Sequence, residues 1–253
     1  MIKWSQVRTV WFRNFLLFKR SWSVSVFWIL IEPIVILGSI GYGVGSYINN
    51  VGGVPYVDFY FPALLASSSM MVAFFESTYG NFSRLTYQST YVTMIMSPLS
   101  VDEIVLGEIL WGATKGTLSA VGIVAVGLPL GLVDSFIVIP VLGVIFISAF
   151  LFAAFGMLIT SIVKNYDSII YPTSGLIVPM SLLCGTYFSI DKFPIVIKYL
   201  MFLLPLTHTV AMARGLMTRG FVWSQIFNLV FLISVSIFLV KIATTNIKKR
   251  LIS

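Results

Sequence analysis

Long apolar runs, separated by short polar stretches, organise this chain. Residues 21–47, 59–82, 104–130, 136–162, 169–188 and 223–243 are each predominantly apolar. Each is about 20 residues or longer, the length an α-helix needs to cross a hydrocarbon core of roughly 30 Å. A membrane barrel would instead show segments of about ten residues with alternating polarity. The expected fold is therefore an all-α integral membrane protein, with six transmembrane helices in one domain over residues 1–253.

Residues 1–20 carry a different pattern. Trp4, Val7, Trp11, Phe15 and Phe18 fall on one stripe at a helical turn of about 100° per residue, and Leu16 breaks the pattern. Gln6, Thr9, Arg13 and Arg20 fall opposite, with Lys3, Arg8 and Lys19 flanking. This predicts an amphipathic interfacial helix in the headgroup plane, its basic residues facing an anionic leaflet. The apolar run that follows is too long for a signal peptide and lacks a small-x-small cleavage site.

The polar breaks place the remaining elements. Gly41-x-x-x-Gly45, late in the first span, allows another helix to approach closely, and Asn49 to Asp58 reads as a turn-rich loop. Residues 83–103 are polar and aromatic, and end in a capping box, Ser100 with Glu103, which starts the third helix. Gly131 to Ser135 is a tight turn, and Lys164 to Asp167 a second short break. Within residues 189–222, Ile195 to Leu204 is apolar but too short to span, bounded by Pro194 and Pro205; Leu206 to Met217 is a second such piece. Both read as re-entrant helices on the outer side: either an interfacial hairpin or a cap over the mouth of a pathway.

Composition agrees. The chain has 253 residues, 58% hydrophobic and 10% charged, with a mean hydropathy of +0.99. Soluble domains carry about 25% charged residues. The formal charge of +7 acts as an orientation signal rather than as affinity for nucleic acid. With the amino terminus inside, eleven Lys and Arg lie on inner segments: Lys3, Arg8, Arg13, Lys19, Arg20, Arg84, Lys164, Lys241, Lys248, Lys249 and Arg250. Four lie outside: Lys192, Lys198, Arg214 and Arg219. Both termini are expected in the cytoplasm.

Three ionisable residues fall within spans: Glu32, Glu76 and Lys115. Glu32 and Lys115 each lie about 16 Å from the cytoplasmic face, counting 1.5 Å per residue, and are expected to pair. Glu76 and Glu108 are shallower, within about 10 Å of that face, and meet either cytoplasmic water or the basic amino-terminal helix. On a helix Tyr87, Tyr91 and Met94 share a face, with Ile95 beside them. Such a face suits a hydrophobic groove on a partner or, alternatively, the lipid surface. Enzymatic motifs are lacking. There is no G-x-x-x-x-G-K-[ST] phosphate-binding loop, and Ser161-Ile-Val-Lys164 has none of the companion motifs of S-x-x-K enzymes. Asn81-Phe-Ser83 matches a glycosylation acceptor but falls at a cytoplasmic helix end. Cys184 and His208 read as packing residues, and no metal-ligand set is present.

Taken in order, several local motifs resemble the membrane subunit of type-2 ABC exporters, most of all permeases for polysaccharides, O-antigen type glycans and nodulation-factor type lipo-oligosaccharides. They are Glu32-Pro33 with Gly41 to Gly45, Tyr56 to Pro62, Glu76 to Tyr79, Tyr91 to Leu99, Gly107-Glu108 and Pro205 to His208. The resemblance implies a homodimeric pathway in a bacterial inner membrane, with two copies of a separate cytoplasmic ATP-binding subunit. ATP would be bound by that partner, with no cofactor on this chain. It also implies a coupling helix from about Arg84 to Pro98, with Arg84, Tyr87, Tyr91, Met94, Ile95 and Pro98 at the ATPase contact and the amino-terminal helix as a brace. Trp111, Phe74, Phe75, Phe152 and Phe155 then face either a channel or lipid. Two other readings are a drug or peptide efflux permease of the same family, and a stand-alone secondary transporter or channel using Glu32, Glu76 and Lys115 as an ion relay.

Overall fold

The structure is a computed structural model that describes residues 2–23, 31, 34–48, 50–51, 53–190, 193–220, 222–223 and 225–252. The described residues form a mostly helical bundle. In chain order the helices are α1 (Trp4–Arg20), α2 (Ile34–Ser46), α3 (Tyr56–Tyr87), α4 (Thr90–Ile95), α5 (Val101–Gly127), α6 (Ser135–Ile162), α7 (residues 167–183), α8 (Ile195–Phe202), α9 (Pro205–Arg219) and α10 (Gln225–Ile252). A two-rung antiparallel ladder, β1 (Asn50–Val51) with β2 (Val54–Pro55), closes the predicted loop before α3.

Among the described residues α3, α5, α6 and α10 are long and apolar enough to cross a membrane, and α8 with α9 makes a fifth if that bent pair is one span. The predicted first span falls partly outside the described residues; its outer half is α2, largely a wide π-turn helix over Leu37–Gly43. Gly41 and Gly45 of α2 do meet another helix: a Cβ on either would touch Val57 or Tyr56 of α3. The predicted fifth span is shorter than expected. It is helical only from 167 to 183 and mixes 3-10, α and π turns. The sixth is longer: α10 continues through Lys248, Lys249 and Arg250 to Ile252.

α6 lies at the centre, packed against α3, α5 and α10. The three-way junction of α3, α5 and α6 is made by small residues one helical turn apart. These are Ser69, Ala73 and Ser77 on α3, Gly112 and Gly116 on α5, and Ala149, Ala153 and Gly156 on α6. A Cβ on Gly116 would lie 2.7 Å from the Ser69 carbonyl oxygen and 2.9 Å from Ala73 Cβ; one on Gly156 would lie 2.9 Å from the Phe74 carbonyl. Helices in lipid gain little from hydrophobic association, so backbone proximity through such positions supplies the packing energy. Phe74 and Phe152 are fully buried and Trp111 nearly so. These rings therefore pack inside the protomer, facing neither channel nor lipid. α3 is the most enclosed of the long helices and α10 the least.

Helix ends follow local chemistry. The Ser100–Glu103 capping box forms as expected, with Ser100 N–H donating to Glu103 Oε2 at 2.8 Å. α8 and α9 start at Pro194 and Pro205 as expected and meet at 90°. His208 is more than packing. Its ring nitrogens lie 2.8 Å from the Phe202 carbonyl of α8 and 2.7 Å from Asn228 Oδ1 of α10, which pins the bend to the bundle. Arg214 of α9 donates to the carbonyls of Phe59 and Gly185, with its guanidinium 3.7 Å from the centre of the Phe59 ring.

The junction gives a test with opposite signs. Gly116→Ala is expected to destabilise the protein by about 1–3 kcal/mol through overpacking. Gly143→Ala on α6, where a Cβ meets nothing within 4 Å, is expected to be neutral or to stabilise by roughly 0.5–1 kcal/mol through helix propensity. Thermal melting in detergent, followed by circular dichroism, reads both.

Candidate functional site

At one end of the bundle α3 leaves regular geometry. Glu76–Gly80 and Ser83–Tyr87 are π-helical, a local form often found at functional sites. Ser89, left-handed at φ 51°, then turns the chain sharply into α4. The predicted long helix over 84–98 is thus replaced by the tail of α3 and a separate six-residue helix. Ser89 is the reason: a non-glycine residue in that conformation ends the helix at Gln88.

The predicted contact stripe splits accordingly. Tyr91 is fully buried and Met94 nearly so, both facing inward. The Tyr91 hydroxyl donates to Met157 Sδ of α6 at 3.8 Å, and burial, with the Glu108 charge nearby, pushes its pKa well above the usual phenol range. Arg84 also faces inward. Tyr87 (66% exposed), Val92, Ile95, Met96 (84%) and Pro98 form the outer surface. Of the six predicted contact residues, Tyr87, Ile95 and Pro98 are therefore surface groups; Arg84, Tyr91 and Met94 are the footing beneath. Tyr87 and Tyr91 share no helix face because Ser89 lies between them.

Beneath α4 lies a cluster of charges that ties three helices together. Glu108 of α5 has a fully buried side chain. It accepts from Arg13 Nη2 (2.9 Å) and Asn14 Nδ2 (2.8 Å) of α1, and from Arg84 Nη1 (2.9 Å) of α3. Arg84 Nη2 also donates to Glu76 Oε1 at 2.5 Å, and Glu76 in turn accepts from Trp111 Nε1 (3.0 Å) and Lys115 Nζ (2.8 Å) of α5. Arg13 further donates to Met94 Sδ at 3.2 Å, which joins α4 to the same cluster. The partner of Lys115 is thus Glu76. Glu32, the partner expected for it, lies outside the described residues. Glu76 and Glu108 are both held by Arg84, and of the alternatives expected for them, water or the basic helix, Glu108 meets the basic helix through Arg13 and Asn14.

α1 is rotated relative to the expected stripe. Val7, Val10 and Asn14 are its buried residues, whereas Trp4 is 70% exposed. Gly107 decides this, because a Cβ there would lie 2.6 Å from Val10 Cβ and 3.0 Å from the Val7 carbonyl oxygen. The helices therefore meet almost backbone to backbone. Trp11 Nε1 donates to Thr114 Oγ1 (2.9 Å), and Trp11 and Phe18 both meet Trp111 edge-on. At the start of α1, Lys3 N–H donates to Glu103 Oε1 (2.8 Å), and Gln6 reaches the Pro98 carbonyl just past α4.

Several helices long and apolar enough to cross a membrane, an amphipathic helix clamped to them and a short, half-exposed helix on a charged footing mark a multi-span membrane protein. The chain belongs to the ABC-2 type transporter family, which it matches over residues 5–218. It is 35% identical over 208 residues to Nodulation protein J of Rhizobium leguminosarum bv. trifolii, covering 82% of this chain and 79% of that one. The same protein of Rhizobium meliloti is 31% identical over an equal stretch, with the same coverage. The Inner membrane transport permease YadH of Escherichia coli is 22% identical over 201 residues, 76% of this chain and 74% of its own.

The cluster predicts an order of effects. Arg84→Met leaves Glu76 and Glu108 short of a cation and is expected to cost about 3–5 kcal/mol. Lys115→Met, at a partly exposed position, is expected to cost less than half as much, because Arg84 and Trp111 still hold Glu76. Adding Glu108→Gln to Arg84→Met is expected to restore part of the loss. Denaturation by sodium dodecyl sulfate in mixed micelles ranks the three.

Proposed function

We propose that this chain is the membrane-spanning subunit of an ATP-driven exporter in a bacterial inner membrane. It works as a homodimer with two copies of a separate cytoplasmic ATP-binding subunit. It has six spans, both termini are cytoplasmic, and α4 is the helix on which the ATP-binding subunit acts. The observation that carries this reading is the two-sided character of α4. Its outer side presents Val92, Ile95 and Met96, with Tyr87 beside it, whereas its inner side is fixed through Tyr91 to α6 and through Met94 to Arg13 of α1. Exposed aliphatic and thioether groups on a short helix suit a partner's hydrophobic groove. A push on that helix is passed to α1, α3 and α5 through groups already in ion-paired contact.

The absence of a phosphate-binding loop in the sequence fits an energy source on another polypeptide. The pairing of Glu76 with Lys115 and Arg84 favours a structural part for these charges over an ion relay. For cargo we propose a glycan, glycolipid or other amphipathic molecule. The motif resemblance supports this class, as do relatives that are named for nodulation.

The paired variant Ile95→Glu with Met96→Glu is expected to abolish co-purification of the ATP-binding subunit and ATP-dependent transport, with the melting temperature kept. Tyr91→Ala is expected to lower the melting temperature. Nucleotide hydrolysis or transport by the purified chain alone, in liposomes, would overturn the reading.

A further inference from the structure

A cleft of about 370 Å³ opens beside the start of α1, at the end of the bundle that carries the charged cluster. Its walls are Asp102 and Leu106 of α5, Ile2, and Val240, Lys241, Thr244, Thr245 and Lys248 of α10. Lys241 and Lys248 are seven residues apart, two helical turns, and so share one face of α10, with Thr244 between them. Lys248 Nζ lies 2.7 Å from Asp102 Oδ2. Lys241 has no carboxylate partner among the described residues. Thr245 donates to the Lys241 carbonyl at 2.9 Å, so its proton is committed. Thr244, mostly buried, has no such bond among the described residues and keeps a hydroxyl proton to give. The cleft thus holds two ammonium groups, one carboxylate and a free donor, a net charge of one positive. Leu106, Val240 and Ile2 form an apolar wall next to it.

Depth selects the ligand. Lys241 lies about 10 Å along α10 from Lys248, and Leu106 about 8 Å into α5 from its first residue. The Asp102–Lys248 rim therefore falls at headgroup level, whereas Leu106, Val240 and the backbone of Lys241 fall at the beginning of the acyl region, from which the lysine stem extends its ammonium toward the interface. We propose that this cleft binds a singly charged phosphodiester at the membrane surface, the headgroup of an acidic phospholipid. Its phosphate pairs with Lys241 and accepts from Thr244, and its glycerol lies against Leu106 and Val240. One negative charge neutralises the cleft, whereas a zwitterionic headgroup brings a trimethylammonium group toward Lys241. The proposal uses only the membrane setting of these helices and does not depend on the identity of the cargo or of an ATP-binding partner.

The test uses the full chain in neutral detergent, titrated with phosphatidylglycerol, phosphatidylcholine or water-soluble glycerophosphoglycerol while melting is followed. Phosphatidylglycerol is expected to raise the melting temperature in a saturable way and phosphatidylcholine to leave it unchanged. Lys241→Gln is expected to weaken the phosphatidylglycerol effect about fivefold, the contribution of one lysine near an anionic surface. Asp102→Asn is expected to strengthen it, and Lys249→Gln, an equal charge change on the same helix but outside the cleft, to leave it intact. An equal loss in Lys241→Gln and Lys249→Gln would show general surface charge and overturn the site. An equal response to phosphatidylcholine would overturn the charge argument. A full response to glycerophosphoglycerol would make the ligand a soluble ester and overturn its assignment to lipid.

Discussion

A single carboxylate, that of Glu108, holds one end of this protein together. It is removed from solvent, and an ionised group so placed is costly unless its oxygens are filled by charged or polar donors. Three side chains do this: Arg13 and Asn14 from the amphipathic helix α1, and Arg84 from the end of the long apolar helix α3. Helix α1, the long helix α3 and, through the contact of Arg13 with Met94, the short helix α4 are therefore not free to choose independent positions. Whatever moves one must carry the others or break ion pairs away from water.

The small-residue junction makes this possible. Ser69, Ala73 and Ser77 bring α3 so close to Gly112 and Gly116 that Trp111 and Lys115, on the same turns of α5, reach Glu76. Gly107 does the same for α1, which lets Asn14 reach Glu108 one residue further along α5. The pair Gly107-Glu108 thus acts as a unit: the first residue admits a helix, and the second fastens it. The pair thus has a physical reason to be adjacent.

Much of the architecture was legible in the sequence. Continuous apolar length marked α3, α5, α6 and α10; the prolines marked α8 and α9; and Ser100 with Glu103 marked the start of α5. For α1 and α4 the sequence pattern falls short for one reason: periodicity describes an isolated helix, whereas tertiary contacts choose the face. Trp4 satisfies the amphipathic stripe of α1, yet Gly107 offers a groove that only Val7 and Val10 fill. Tyr91 reads as an interaction residue because aromatic rings beside polar ones suit surfaces, whereas the left-handed turn at Ser89 that drives it inward leaves no sequence signal. Pairing by depth alone did not single out Glu76 as the partner of Lys115, although the two are joined across adjacent helices. A readable clue was the four-residue spacing of Gly112 and Gly116, the same pattern noticed at Gly41 and Gly45.

Were α1 to lie in the headgroup plane, as its amphipathic pattern leads one to expect, its clamping would also set how deep the molecule floats. Its outer side presents Trp4, Phe12, Phe15, Leu16 and Leu17 to the surroundings, groups that prefer the boundary between headgroups and acyl chains. Its inner side is locked to α5 with no room to slide. The waterline would then be fixed at this end, and when the bilayer thickened or thinned the mismatch would fall on the opposite end, where α8 and α9 meet at a right angle and the chain changes direction within a few residues.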